Sequence, residues 1–283
     1  MLIKRNVSLF FRDKTSIFFS LLGIIIMLAL FILFLGESME NILRAYLGNI
    51  QSTAMTRLVL GGMIAATSVT ASVGAAGRMV ADRDTSLKDF LTSPISRLKI
   101  TVSYIGSAAI VSFMMTMAIL VASLGYLVFR GSKVPTLAEI LLLLLTALLC
   151  ALSANAMIFC IAAFLKSREA YGSVTSVVGT LVGFLMGIYI PIGQLPPSVG
   201  WAVRLFPLSH GASMFRMLLA DRELSGLFAN VPPNYLQEFR EFFGVTFRFG
   251  NVESNFWFSA LTLIGTTLIF YTLGFMAMRK KKY

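Results

Sequence analysis

The chain has 283 residues, 57% hydrophobic and only 13% charged, with a formal net charge of +11. Soluble domains hold about 45–50% apolar residues, so this composition excludes a water-soluble globular fold and points to a polytopic membrane protein. The basic excess would suggest nucleic acid if it were clustered on one surface, but its distribution reads as a membrane topology signal.

The first sixteen residues, MLIKRNVSLFFRDKTS, place Ile3, Val7, Phe10 and Phe11 at i, i+4, i+7 and i+8, with Lys4, Arg5, Arg12 and Asp13 elsewhere around the wheel. That spacing predicts an amphipathic helix lying along the inner membrane surface. A hydrocarbon core about 30 Å thick takes roughly 20 helical residues to cross, and six runs fit, at 17–35, 58–76, 100–127, 140–164, 174–192 and 257–278. The first follows basic residues as a cleaved leader would, but it is too long for a typical leader and LFLGES is a weak cleavage site, so it is read as an anchor. The second, LVLGGMIAATSVTASVGAA, is rich in Gly, Ser and Thr yet uncharged. Cys150 and Cys160 in the fourth match no metal or redox spacing and read as small buried apolar residues. The fifth repeats glycine every four residues, at Gly179, Gly183 and Gly187, a ridge that lets another helix approach closely.

With the N-terminus inside, fifteen of the 24 basic residues fall in inside segments, so both termini are expected in the cytoplasm of a multi-pass cell-membrane protein. Between spans two and three, VADRDTSLKDFLTSPISRLKI carries seven charges in 21 positions. Read as a helix, it places Val80, Leu87, Phe90 and Leu91 near one face and Asp82, Arg83, Asp84, Lys88 and Asp89 over much of the remainder, until Pro94 stops it. Such a rod could dock on a partner; a plain solvated loop is the alternative. After the fifth span, Pro191, Pro196, Pro197 and Pro207 forbid one continuous helix. The apolar content there predicts short broken helices dipping into the outer leaflet, followed by a polar and aromatic cap over 221–255.

The catalytic vocabulary is thin. His210 is the single histidine, which excludes a His-rich metal site, and Ser209 and Ser213 beside it lie in no GxSxG, so His210 reads as a loop histidine at an interface. The six runs contain no Asp, Glu, Lys or Arg, the usual equipment for proton coupling. No GxxxxGK[ST] occurs, so ATP is not bound through a P-loop of this chain. No repeat supports an inverted-repeat transporter. The chain reads as no enzyme, without metal or cofactor of its own.

Three separated segments make the chain resemble the permease subunits of type-2 ABC exporters over nearly its whole length. LIKRNVSLFFRDKTSIFFS is similar to the family's basic amphipathic helix leading into span one. DRD at 82–84, followed by an apolar pair and SPISR at 93–97, is similar to its Glu-Arg-Glu loop. PIGQLPPSVGWAVRLFPLSH looks like its proline-marked outer re-entrant segment. Two departures are that both acids of the triplet are Asp and that Ser86 stands where glycine is common. The resemblance implies an all-α membrane protein, a single transmembrane domain over 1–283 with six spans, an interface helix at 1–16 and an outer segment at 193–256. It implies a coupling helix at 80–93 that docks on an ATPase through Asp82, Arg83, Asp84, Leu87, Phe90 and Leu91. It further implies two permease copies with two separate ATPase subunits, which hold the ATP and Mg. Thr67, Ser68, Thr70, Phe184 and Met186 are then expected on the wall of a dimer cavity. The implied cargo is an amphipathic drug, peptide or lipid-like molecule; a cell-surface polysaccharide exporter and a non-transporting membrane anchor are the alternatives.

Overall fold

The architecture is that of a computed structural model, which describes residues 2–31, 33, 41, 44, 53–82, 96–165 and 167–280. Among them lie ten α-helices, a 3-10 turn at Ile192–Gln194 and one hairpin of two two-residue strands. The N-terminal half is α1 (Leu2–Arg12), α2 (Lys14–Leu30), α3 (Ala54–Asp82), α4 (Arg97–Phe129) and α5 (Leu137–Phe164). Then follow α6 (Arg168–Leu185), α7 (Pro197–Leu205), α8 (Pro207–Leu227), α9 (Pro233–Phe242), the antiparallel pair β1 (Arg248–Phe249) and β2 (Val252–Glu253), and α10 (Phe256–Lys280). Four of these helices are long and apolar enough to cross a membrane, over Ala54–Asp82, Leu98–Phe129, Leu137–Phe164 and Phe256–Arg279. Of the two other expected spans, the first is represented by α2, with 17 residues, and the fifth by α6, with 18 residues rich in Gly, Ser and Thr.

Local chemistry explains most boundaries. Thr136 and Glu139 form a reciprocal capping box that starts α5, and the Ser167 hydroxyl accepts from the Ala170 amide to start α6. Proline occupies the first turn of α7, α8 and α9, where its missing N–H costs nothing. α6 ends seven residues before the expected limit of 192. Gly187, at φ +60°, closes it with the Gly187 N–H on the Phe184 carbonyl and the Ile188 N–H on the Gly183 carbonyl, the Schellman arrangement that only a residue tolerant of positive φ adopts readily. α8 departs from the short broken helices expected after the fifth span: Pro207 begins the helix instead of interrupting it, and 21 residues follow.

The core is organised around α3, which packs against α2, α4, α5, α6 and α8. Its most apolar window is 78% buried, whereas that of α10 is 11% buried. Without a hydrophobic drive between helices in lipid, close backbone approach decides which helix can be central, and the Gly- and Ser-rich sequence of α3 provides it. A Cβ on Gly61 would stand 3.0 Å from the Arg216 backbone nitrogen of α8, and one on Gly74 would stand 2.5 Å from Ser20 Oγ of α2. Peripheral α10 is held to α5 by the Tyr271 hydroxyl, which donates to Asn155 Oδ1 at 2.8 Å, and by Phe159 lying against Gly274.

The α5–α8 crossing makes a specific packing test possible, because a Cβ on Gly211 would overlap Cys150 Sγ. Gly211→Ala is expected to destabilise by about 1–3 kcal/mol through overpacking. Adding Cys150→Ala removes the obstructing sulfur and should recover most of that loss. Thermal unfolding in detergent measures both; a double variant less stable than Gly211→Ala alone would mean that this contact does not set the crossing.

Candidate functional site

At the end of the bundle that carries α1, the amphipathic stripe is spent on the protein itself. Phe10 is 1% exposed and packs with Ala71 and Ala75 of α3 and Ala108, Val111 and Met115 of α4, joined by Val7 and Phe11. Ile3 reaches Gly106 of α4, where an added Cβ would stand 3.3 Å from its Cδ1. Lys4 and Arg12 are exposed, while Arg5 and Asp13 are half-buried and engaged. Asp13 sits in the break between α1 and α2, where its Oδ2 receives Arg78 Nη2 of α3 at 3.1 Å. The same nitrogen donates to the Leu9 carbonyl at 2.6 Å, so a cation stands at the C-terminus of α1, the favourable end of the helix dipole.

Asp82, the last residue of α3, accepts from the Tyr104 hydroxyl of α4 at 2.5 Å and lies 4.0 Å from Arg5 Nη2 of α1. Three elements therefore converge on the residue from which the charged loop departs. The expected docking residues Arg83, Asp84, Leu87, Phe90 and Leu91, and with them most of the 80–93 coupling helix, lie outside the described residues. Of the six, Asp82 alone has a described environment, and its carboxylate is committed within the chain.

The five expected cavity residues separate into two groups. Thr67, Ser68 and Met186 are fully buried within the single chain, whereas Thr70 and Phe184 keep exposed surface. Thr67 Oγ1 donates to the Met63 carbonyl at 2.8 Å, Ser68 Oγ to Ala65 at 2.6 Å and Thr70 Oγ1 to Thr67 at 3.2 Å, so all three hydroxyls bond back into their own helix. Of the glycine ridge, a Cβ added to Gly179 would meet no neighbouring element within 4 Å, one on Gly183 would run into the ring of Tyr189, and Gly187 lies past the helix end. Cys150 and Cys160 are buried free thiols.

The opposite end is built on residues that the sequence did not single out. Arg216 of α8 is 1% exposed and donates from Nε to the Leu58 carbonyl at 3.0 Å and from Nη1 to Gly244 at 3.3 Å. Its Nη2 donates to the carbonyls of Met186 and Gly187, the latter at 3.1 Å. One level further out, Arg57 Nε lies 2.5 Å from Glu223 Oε2, and Arg57 Nη1 and Nη2 donate to the Leu219 carbonyl at 2.8 Å and to Ser132 Oγ at 2.7 Å. The Thr53 amide and hydroxyl close the group on Glu223, both at 2.9 Å. The available signal was a single arginine inside an otherwise apolar stretch, SMFRMLLA, and another on the first turn of an apolar run.

His210 is no loop residue: it sits in the first turn of α8, 1% exposed, because Pro207 starts the helix. Its Nε2 faces the Arg204 carbonyl at 3.0 Å, which can only accept, so Nε2 carries the proton and Nδ1 meets Ser259 Oγ at 3.2 Å. Burial lowers its pKa and the Arg204 bond opposes that shift. The ring is stacked on Phe249 and edged by Phe247, a packing role. Among the described residues no group of His, Cys, Asp and Glu could hold a metal ion.

A protein-family model described as ABC-2 type transporter matches residues 1–220, from α1 into the third quarter of α8. No curated protein matches the chain.

Two variants test the ends separately. Because Asp82→Asn and Tyr104→Phe weaken or remove the same bond, each is expected to cost about 1–2 kcal/mol, and combining them should cost little more than the worse single change. Additive losses in thermal unfolding would show that the two side chains act independently. At the other end, Arg216→Ala leaves the buried carbonyls of Met186, Gly187 and Gly244 without their donor and should cost about 3 kcal/mol or more. Arg216→Lys should recover only part, since one ammonium cannot fork to carbonyls on three segments; full recovery would make the bonding pattern incidental.

Proposed function

Since the chain belongs to the ABC-2 type transporter family, a membrane component of transporters that work with a partner ATP-binding subunit, we propose that it is the permease of an ATP-driven exporter. Two copies pair with two ATPase subunits, each of which holds its own ATP and Mg. The residues around 80–93 form the coupling helix that seats on the ATPase, with the α1 end and both termini in the cytoplasm. ATP-driven closure of the ATPases pulls on that loop and swings the bundle between inward and outward forms. The cargo is an amphipathic drug, peptide or lipid-like molecule. The observation that carries this reading is the family match over 1–220. The convergence of α1, α3 and α4 on Asp82 supports it, because a load applied at the loop reaches three helices at once.

The division of labour within the loop follows from magnitudes. Exposed ion pairs from Arg83 or Asp84 contribute about 0–1 kcal/mol each, whereas burying Leu87 or Phe90 in a groove contributes about 1.5–3 kcal/mol. Apolar contact therefore dominates docking. Changing Leu87 and Phe90 together to Ala is expected to weaken ATPase binding by roughly a hundredfold or more. The variant should still insert in the membrane normally, lose its ATPase on purification and fail at ATP-dependent transport in proteoliposomes. Asp84→Asn should give a milder, salt-sensitive defect. Normal ATPase retention and transport by the Leu87/Phe90 variant, with loss in the Asp84 variant, would reverse the assignment. Labelling of a cysteine at Ser86, but none at Asn230, by an impermeant thiol reagent on intact cells would overturn the orientation itself.

A further inference from the structure

A cavity of about 1410 Å³ opens at the end of the bundle opposite α1, between the start of α3, the turn joining α4 to α5 and the C-terminal half of α8. Its composition changes with depth. Basic side chains line the rim: Arg44, Arg57, Arg130, Lys133 and Arg222. Leu124 and Leu143 also line it, about 7.5 Å and about 9 Å into the bundle from the near ends of α4 and α5 at 1.5 Å per residue. Leu127 and Leu219 complete a floor in which Leu127, Leu143 and Leu219 are buried and Leu124 is partly so.

The two described acids on the lining are already engaged. Glu223 takes Arg57 and Thr53, as above. Glu139 Oε2 accepts from the Thr136 amide at 2.7 Å in the capping box, and its Oε1 approaches Arg222 only to 4.0 Å. Arg130 and Lys133, which flank the turn at Gly131 and Ser132, are exposed and form no ion pair among the described residues. Two cations held on one short turn above an apolar floor suit a ligand with an anionic head and an apolar body, because charge-assisted bonds to phosphate are the strongest such contacts available there.

We propose that this cavity binds an amphiphile through a phosphate-bearing head, with Arg130 and Lys133 as the head-group donors and Leu124, Leu127, Leu143 and Leu219 against its apolar part. Free phosphate shares the head-group chemistry, so the ligand's source is decided by whether the floor contributes. The inference rests on the cavity alone and not on export, cargo or orientation, and it is tested without an ATPase.

The full chain, purified in zwitterionic detergent, is titrated calorimetrically with dihexanoyl phosphatidate, dihexanoyl phosphatidylcholine and inorganic phosphate. Phosphatidate is expected to bind at least about tenfold more tightly than phosphatidylcholine, and inorganic phosphate to displace it only at about a hundredfold higher concentration. The double variant Arg130→Gln, Lys133→Gln should bind phosphatidate about tenfold more weakly while unfolding at the wild-type temperature, since both side chains are exposed. Undiminished phosphatidate binding by that variant, or equal binding of the two lipids, would overturn the proposal. Displacement by inorganic phosphate at concentrations equal to those of phosphatidate would overturn the amphiphile and leave a simple anion site.

Discussion

A backbone carbonyl buried away from water must find a donor, and in a membrane the solvent offers none. Here one guanidinium answers for three, at Met186, Gly187 and Gly244, and adds a bond to the Leu58 carbonyl within α3. Arg216 joins the start of α3, the turn beyond α6 and the turn beyond α9, three pieces of chain that no regular helix could connect. The turn beyond α6 presents the negative end of a helix, so the carbonyls there offset part of the buried cation's lost hydration. A planar fork with five donors in fixed directions suits this task, and a compact ammonium does not. The irregular run between α6 and α8 is tolerated inside the bundle because this side chain reaches it.

The second condition is the smallness of α3. Five helices can surround it because Gly61, Gly62 and Gly74 leave no Cβ where neighbouring side chains and backbone pass. Bulk is placed at the periphery: α4, α6 and α10 present Val121, Val177, Leu261 and Leu268 outward. The inversion relative to a soluble protein, small and hydroxylated inside with large aliphatics outside, follows from a lipid solvent as apolar as leucine.

The sequence carried the class, the amphipathic α1 and the long apolar helices, because hydropathy over about 20 residues is a strong physical signal. It also carried the Pro-marked interruption before α7, since ring geometry acts locally. It did not carry the end of α6. GTLVGFLMG reads as a continued ridge by spacing, while Gly187 terminates the helix through its own backbone freedom and the tertiary pull of Arg216 on the carbonyls beyond. The proline at 207 was legible as a break but not as the start of α8, since the same residue does either. Asp82 was read from its sequence neighbours as a docking charge; that its partner within the chain would be Tyr104, twenty-two positions away, depends on how α3 meets α4, which no local pattern encodes. The Arg57–Glu223 pair, spanning the chain from α3 to α8, was hidden for the same reason.

The back-bonded hydroxyls of α3 have a mechanical consequence. One end of this helix is tied to α1 and α4 through Arg78 and Asp82, and the other to α8 through Arg57 and the Leu58 carbonyl. A rod clamped at both ends to different bodies can change the angle between them only by flexing along its length. Serine and threonine that bond to carbonyls three or four residues earlier loosen the regular ladder and favour curvature. Thr67, Ser68 and Thr70 place three such bonds in a single turn midway between the clamps. These bonds therefore favour a bend near the middle of α3, at about residue 68, between its two clamped ends.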